Sequence, residues 1–420
     1  ITVDWEFPVI DYIYEGNTTA DNDFQNDTET LILAWGLENS AISVSYYEYA
    51  VGLSPGASET VDWTNNGTDT TVTITGLSLV DGTTYYGSIR AYNSSGNPSQ
   101  SYSGDGITID RSTPFPGQVN DGTEGDIDWV TINYLAEGSW TGFFDSLSGI
   151  AEYEYSLGLN PNQTQAVSWT SSGLDTTITV SASLTEGPTY FANVRAIDSV
   201  GNVSPNVSSD GFGLDQSSPV AGTVIDGLEN DQVWTSGIGS VSASWSGFSD
   251  QYSGIEFYEY AIGTSIGGHG LVNWTIADMA TAVTHQDLNL DDGTTYYFSV
   301  RATDLVENVS EIATSSGITV DTIPPVINMI AEAADSDPLF QASDSSIVLF
   351  WDAVDDNSGI EYYEYSLGTS VGGTDILEWN NAGTSDSATI ADLVLIEGAT
   401  YWGSVRAVDA AGNVIMAQGN

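Results

Sequence analysis

The ten residues TYYGSIRAYN at positions 84–93 return three more times along the chain in related form. The later copies are TYFANVRAID at 189–198, TYYFSVRATD at 295–304 and TYWGSVRAVD at 400–409. Aromatic, aliphatic and small residues alternate with polar ones in each copy, which is typical of a strand with one buried face. A period of 105 or 106 residues is too long for a solenoid repeat and suits a complete β-sandwich domain.

Other landmarks keep the same period. The triplet Tyr-Glu-Tyr begins at Tyr47, Tyr153, Tyr258 and Tyr363. One Trp precedes the triplet, at Trp35, Trp140, Trp245 and Trp351, and another follows it, at Trp63, Trp169, Trp274 and Trp379. A boundary motif closes the first three units as ITIDRSTP at 107–114, GLDQSSP at 213–219 and ITVDTIPP at 318–325. Agreement among independent landmarks identifies four repeats.

Each repeat also contains a Leu six residues before a Tyr: Leu79 and Tyr85, Leu184 and Tyr190, Leu290 and Tyr296, Leu395 and Tyr401. With the core Trp and the following Val-x-Ala pattern, this arrangement resembles fibronectin type III domains. The resemblance extends to the tandem Ig-like domains of prokaryotic surface and filament proteins. It implies an all-β chain of four tandem seven-stranded Greek-key sandwiches in an extended array. It also implies that the Tyr is buried and that its hydroxyl caps nearby backbone.

The landmarks place the domain boundaries. Residues 1–4 are predicted to be a terminal strand of a preceding or neighbouring domain, followed by domains at 5–110, 111–215, 216–321 and 322–420. The first four residues, ITVD, repeat those at 318–321, and the fourth domain is predicted to lack most of its last strand. Two explanations stay open: a window of a longer array, or donation of the ITVD strand to the fourth domain of a neighbouring copy.

Charge narrows the range of partners. The 420 residues include 58 acidic and 5 basic side chains, for a net charge of −53. Nucleic acid and anionic membranes would be repelled, whereas cations are attracted. The absence of Cys excludes disulfides and thiolate metal sites, and no apolar run is long enough to predict a membrane span.

Three sets of acids are candidate metal ligands. Each set combines a junction Asp with an Asp before the third strand and an Asp after the sixth strand. In a fibronectin-like sandwich these three positions meet at the pole where the chain enters. The sets are Asp110, Asp145 and Asp198; Asp215, Asp250 and Asp304; and Asp321, Asp355 and Asp409.

Converging carboxylates repel one another unless a cation lies between them, and such hard oxygen ligands suit Ca²⁺. Loop carbonyls or Asn202, Asn308 and Asn413 could complete the coordination. The first domain departs from the pattern, with Asn39 and Asn93 at the loop positions. The alternative is that these are ordinary Asp residues that cap their own turns.

Four of the five Arg residues occupy one repeat position, on the sixth strand. Strand parity points them outward, opposite the Glu of Tyr-Glu-Tyr on the third strand. The predicted cross-strand pairs are Glu48–Arg90, Glu154–Arg195, Glu259–Arg301 and Glu364–Arg406. The Trp that follows each triplet is expected to be at least half buried.

These observations predict a non-enzymatic, extracellular or cell-surface filament, stalk or adhesin segment, because catalytic acids seldom recur in every repeat. Its partners would be copies of itself joined head-to-tail, or flanking repeats of the same chain. Two alternatives remain: an array of carbohydrate- or protein-binding modules, or accessory domains of a large secreted enzyme.

Overall fold

The computed structural model of the chain describes residues 7–38, 43–332 and 341–419. The chain divides into two compact units, Ile1–Gln216 and Ser217–Asn420. Every regular element within the described residues is a β-strand, which confirms the all-β fold. These residues contain no helix of the length and apolar character needed to cross a membrane.

The first unit opens with a three-stranded sheet, β1-β3-β6, packed on a sheet of order β2-β9-β7-β4-β5 with β8 beside β7. Its strands are β1 (Ile10–Glu15), β2 (Phe24–Gln25), β3 (Thr30–Leu37), β4 (Val44–Gly52), β5 (Val61–Asn65), β6 (Thr71–Thr75), β7 (Thr84–Asn93), β8 (Tyr102–Ser103) and β9 (Ile107–Ile109). Both sheets contribute to the core, where Trp35 meets Tyr47 edge-on with 5.6 Å between ring centroids.

A second sandwich in the same unit repeats this topology, with sheets β10-β12-β15 and β11-β18-β16-β13-β14 and with β17 beside β16. Its strands are β10 (Gln118–Asp121), β11 (Trp129–Val130), β12 (Leu135–Thr141), β13 (Ile150–Gly158), β14 (Val167–Gly173), β15 (Thr177–Ser181), β16 (Thr189–Asp198), β17 (Val207–Ser208) and β18 (Phe212–Leu214).

The second unit begins with a third sandwich of the same order, β19-β21-β24 against β20-β27-β25-β22-β23, with β26 beside β25. Its strands are β19 (Thr223–Asp226), β20 (Trp234–Thr235), β21 (Val241–Ser246), β22 (Ile255–Gly263), β23 (Val272–Asp278), β24 (Ala282–His285), β25 (Thr295–Asp304), β26 (Ala313–Thr314) and β27 (Ile318–Val320).

The fourth sandwich pairs β28-β29-β32 with β31-β30-β33-β34. Its strands are β28 (Val326–Ala331), β29 (Ile347–Val354), β30 (Ile360–Gly368), β31 (Leu377–Gly383), β32 (Ser387–Ile390), β33 (Trp402–Asp409) and β34 (Val414–Gln418). Here β34 forms one continuous hairpin with β33, where the other sandwiches place two short strands. The predicted shortening of this last strand and its completion by a neighbour stay predictions, and residues 1–4 lie outside the described residues.

The described residues of the first three sandwiches contain the seven predicted strands, but the first and last of the seven are each broken in two. A buried acid explains the break in the last strand. In the first sandwich, Glu15 accepts the N–H groups of Gly87 at 2.5 Å and Gly106 at 2.7 Å. Gly106 has φ +101, which side-chain-bearing residues rarely adopt, and it lies between β8 and β9. The carboxylate of Glu15 thus accepts a hydrogen bond from a backbone N–H group next to the break in the last strand.

Candidate metal centre

Three carboxylates converge where the first sandwich meets the second. Asp110 follows β9 and Asp198 ends β16, and both are almost fully buried. Asp145 lies in the loop between β12 and β13 and is partly buried. One oxygen of each residue lies within 4.8 Å of the others. Two ligands of one Ca²⁺ lie at most about 5 Å apart, since each is about 2.3–2.6 Å from the ion, so this spacing fits a shared cation.

Backbone N–H groups orient these side chains. Oδ1 of Asp145 accepts from Leu147 and Gly149, both at 3.0 Å. Oδ1 of Asp198 accepts from Val200 at 3.0 Å and Asn202 at 2.8 Å. These are Asx-type turns, which Asp favours with or without a metal. They hold the two carboxylates in fixed positions.

The junction is also bridged directly between the two sandwiches. Asp110 belongs to the first sandwich, and its Oδ2 accepts the N–H of Ser148 in the second at 3.1 Å. Nδ2 of Asn202 donates to the backbone oxygen of Asp110 at 3.0 Å and to Oδ2 of Asp198 at 2.7 Å. The buried Oγ of Ser148 has no hydrogen-bond partner among the described residues. It is a further oxygen that a bound cation could use.

The junction between the third and fourth sandwiches repeats this geometry with Asp321, Asp355 and Asp409, again within 4.8 Å. Ser358 donates its N–H to Asp321 at 3.1 Å, and Asn413 bridges the backbone oxygen of Asp321 and Oδ2 of Asp409 at 2.8 and 2.9 Å. Burial works to raise the pKa of Asp321, but hydrogen bonds, led by those from Ser358, outweigh it and lower that pKa below its ordinary value. Asp321 is therefore ionised at neutral pH.

The remaining predicted set consists of Asp215 in the first unit and of Asp250 and Asp304 in the second unit. Asp215 is fully buried after β18 of the first unit. In the second unit, Asp250 accepts from Tyr252 and Gly254 at 2.8 and 2.9 Å, and Asp304 accepts from Val306 and Asn308 at 2.9 and 2.8 Å. Each local turn matches the other sets, and their joint role as metal ligands stays a prediction. In the first domain, Asn39 lies outside the described residues.

The outer face carries the four predicted Glu–Arg pairs, and the structure confirms all of them. Three have N–O distances of 2.6–2.7 Å, and Arg406 lies 3.5 Å from Glu364. Each guanidinium also stacks 3.8–4.4 Å from the ring centre of a Trp, namely Trp63, Trp169, Trp274 and Trp379. These Trp side chains are partly buried, as expected.

Sequence reasoning missed a second family of acids, which ends the first strand of three sandwiches. Glu15, Asp121 and Asp226 are all fully buried. One feature of the sequence could have indicated these buried acids. An acid or Ser stands directly before the Gly that precedes β9, β18 and β27, at Asp105, Asp210 and Ser316. This pair of residues lies before the boundary motif and is not part of it.

Comparison with models of known protein families finds no match. Among curated proteins, the chain is 26% identical to exoglucanase B of Cellulomonas fimi over 286 residues, which are 59% of this chain and 23% of that protein. It is 33% identical to chitinase A1 of Niallia circulans over 155 residues, which are 36% of this chain and 20% of that protein. The chain therefore spans less than a quarter of the length of either relative.

The chain is also similar, over about three quarters of its length, to solved structures of several domains. The FN1–FN3 domains of chicken CNTN1 match with 14% identity, 73% of this chain, 98% of that chain and a TM-score of 0.29. The three N-terminal domains of the bacteriophage RB49 outer capsid protein Hoc match with 11% identity, 75% of this chain, 99% of that chain and a TM-score of 0.38.

Proposed function

We propose that this chain, a tandem array of fibronectin type III-like β-sandwiches, is an extracellular structural segment of a filament, stalk or adhesin. In this proposal Ca²⁺ stiffens the sandwich junctions, and the chain has no catalytic role of its own. Its partners are copies of itself joined head-to-tail, including by strand donation, or flanking repeats of the same chain.

One observation carries the proposal: the two junctions that lie within single units have the same construction. At each, the Asp after the last strand of one sandwich is held by a Ser N–H and an Asn side chain of the next. Two further carboxylates lie within 4.8 Å of that Asp. A repeated, acid-lined junction is useful to a spacer, because each cation would link two neighbouring sandwiches.

Thermal unfolding of the full chain with CaCl₂ and with a chelator tests the proposal. Calcium that binds only the folded state raises the melting temperature. The double variant Asp145→Asn with Asp355→Asn should lose most of that rise. Glu256→Gln with Glu361→Gln removes the same charge from exposed strand positions and should keep it. An equal calcium response in both double variants would exclude the junctions as calcium sites.

The names of the curated relatives favour a second candidate, accessory modules of a secreted polysaccharide-degrading enzyme. The stacked Arg residues argue against a sugar platform on the repeated Trp side chains, since each guanidinium covers a ring face. Retention of the full chain on cellulose or chitin, lost on Trp169→Ala, would support the accessory role. If the full chain passes through both cellulose and chitin without being retained, the result favours the structural role.

A further inference from the structure

The first strand of the second sandwich ends in a buried carboxylate that has no part in the junction. Asp121 is 0% exposed. Its Oδ2 accepts the N–H of Gly211 at 2.9 Å, whereas its Oδ1 has no hydrogen-bond partner among the described residues. A buried, ionised oxygen without a partner is strongly disfavoured. A positively charged partner would therefore stabilise Oδ1 of Asp121.

Two exposed acids face this carboxylate. Asp126 lies in the loop after β10, and Asp210 lies directly before Gly211, the residue that precedes β18. One oxygen of each of the three acids lies within 4.8 Å of the others. Oδ1 of Asp126 also accepts the backbone N–H of Asp121 at 3.3 Å, which fixes the loop over the buried group.

Within the described part of the chain, no basic side chain forms an ion pair with this cluster. The ion pairs among the described residues join Arg to Glu on the outer faces. Three carboxylates that lie within 4.8 Å of one another repel each other when they are ionised.

We propose that Asp121, Asp126 and Asp210 form a second class of divalent cation site, selective for a hard ion such as Ca²⁺. None of these residues belongs to a junction set. The site lies within one sandwich, where it ties the end of the first strand to the break in the last strand. A cation there supplies the partner that Oδ1 of Asp121 lacks and offsets the repulsion among three carboxylates.

Equivalent positions in other sandwiches differ in informative ways. In the first sandwich both oxygens of Glu15 accept N–H groups, so no buried oxygen is left over and no cation is assigned. In the third, Oδ1 of Asp226 lacks a partner, as at Asp121, and Asp231 stands nearby. Ser316 occupies the place of the third acid and donates to Asp231 at 2.9 Å. The third sandwich thus has an equivalent cluster that contains two carboxylates instead of three.

Calorimetric titration of the chelator-treated full chain with CaCl₂ tests the site. Asp126→Asn with Asp210→Asn should bind one Ca²⁺ fewer per chain than the unaltered protein. Both positions are exposed, so the variant is expected to fold, which its circular dichroism would verify. An unchanged number of bound ions would overturn the proposal, since no cation would then be bound by these three acids.

A variant designed to gain calcium affinity in the third sandwich tests the proposal independently. Ser316→Asp adds the third carboxylate to the third sandwich and should tighten calcium binding there by about tenfold or more, because affinity rises with ligand charge. No gain, together with no loss at Asp126 and Asp210, rejects the site. The junction variants at Asp145 and Asp355 report on the proposed function separately, so either idea can fail while the other stands.

Discussion

Arg195 and Glu154 face each other across β16 and β13, with Nη2 of the Arg 2.6 Å from Oε2 of the Glu. The guanidinium also lies 4.4 Å from the ring centre of Trp169. This three-part contact recurs in every sandwich and uses four of the chain's five basic residues. A chain with a net charge of −53 thus places most of its positive charge on one outer face of its sandwiches.

A double-mutant cycle on Glu154→Gln and Arg195→Gln should give a coupling energy of about 0.5–1 kcal/mol, because the pair is well formed but partly solvated. Loss of the stacked guanidinium from Trp169 should add about 0.5–1 kcal/mol to the cost of the Arg variant alone. Urea unfolding of the chain, followed with a probe specific to one unit, measures both the coupling energy and the cost of the Arg variant. The cycle on Glu364 and Arg406 serves as the control. Since that pair is 3.5 Å apart and more exposed, its coupling should be smaller, and equal values would contradict this account.

The corner tyrosines predicted from the Leu–Tyr spacing are present in all four sandwiches. The hydroxyl of Tyr190 accepts the N–H of Thr185 at 2.9 Å, and the ring is 3% exposed. Tyr190→Phe should lower the free energy of unfolding by about 1–2 kcal/mol, because the N–H loses its partner. Tyr401→Phe removes the same bond at a more exposed site and should cost less. Chemical denaturation compares the two, and a larger loss at Tyr401 would argue against burial as the cause.

Glu15 should make the first sandwich less stable as pH rises. Burial is the largest influence and raises its pKa to about 7 from 4.5, although the N–H groups of Gly87 and Gly106 work to lower it. Between those pH values the folded chain holds a proton that the unfolded chain has released. The resulting stability is fully present below pH 4.5 and is lost as pH rises through about 7. The loss amounts to about 3 kcal/mol.

Glu15→Gln isolates this effect, since the amide stays neutral throughout. Urea unfolding at pH 5 and pH 8, with chelator present, should show a smaller pH difference for the variant than for the unaltered chain. Asp21 and Asp105 are common to both proteins, so the comparison reports the titration of Glu15 together with its repulsion of these two acids. Identical pH profiles would mean that Glu15 is ionised in the folded state.

Asn202 should matter to the junction more than its exposed surroundings suggest. Its Nδ2 joins the backbone of Asp110 to the carboxylate of Asp198, so Asn202→Ala removes two hydrogen bonds, one of them to a charged group. We expect a loss of about 1–3 kcal/mol, with faster proteolysis at residues 111–116. Asn160→Ala, at an exposed turn of the same sandwich, is the matched control. Equal proteolysis of the two variants would show that Asn202 does not hold the junction.

Much of the fold could be predicted because its determinants are local and repeated. The period, the alternation in TYYGSIRAYN and the spacing of Leu79 and Tyr85 each depend on residues close in sequence, and they predicted strands, sandwich and corner Tyr correctly. Strand parity alone also predicted that Glu48 and Arg90 would meet, since side chains on one face of paired strands must be neighbours.

The sequence by itself determined the sandwiches, their outer ion pairs and the motif of each junction. Only the tertiary structure decided which carboxylates are buried and which oxygens lack a partner. Asp121 and Gly211 are 90 positions apart, and no local pattern indicates that one caps the other. Burial and hydrogen-bond satisfaction depend on how the two sheets and their connecting loops close around a side chain. That closure depends on contacts between residues far apart in sequence, which no short-range period records.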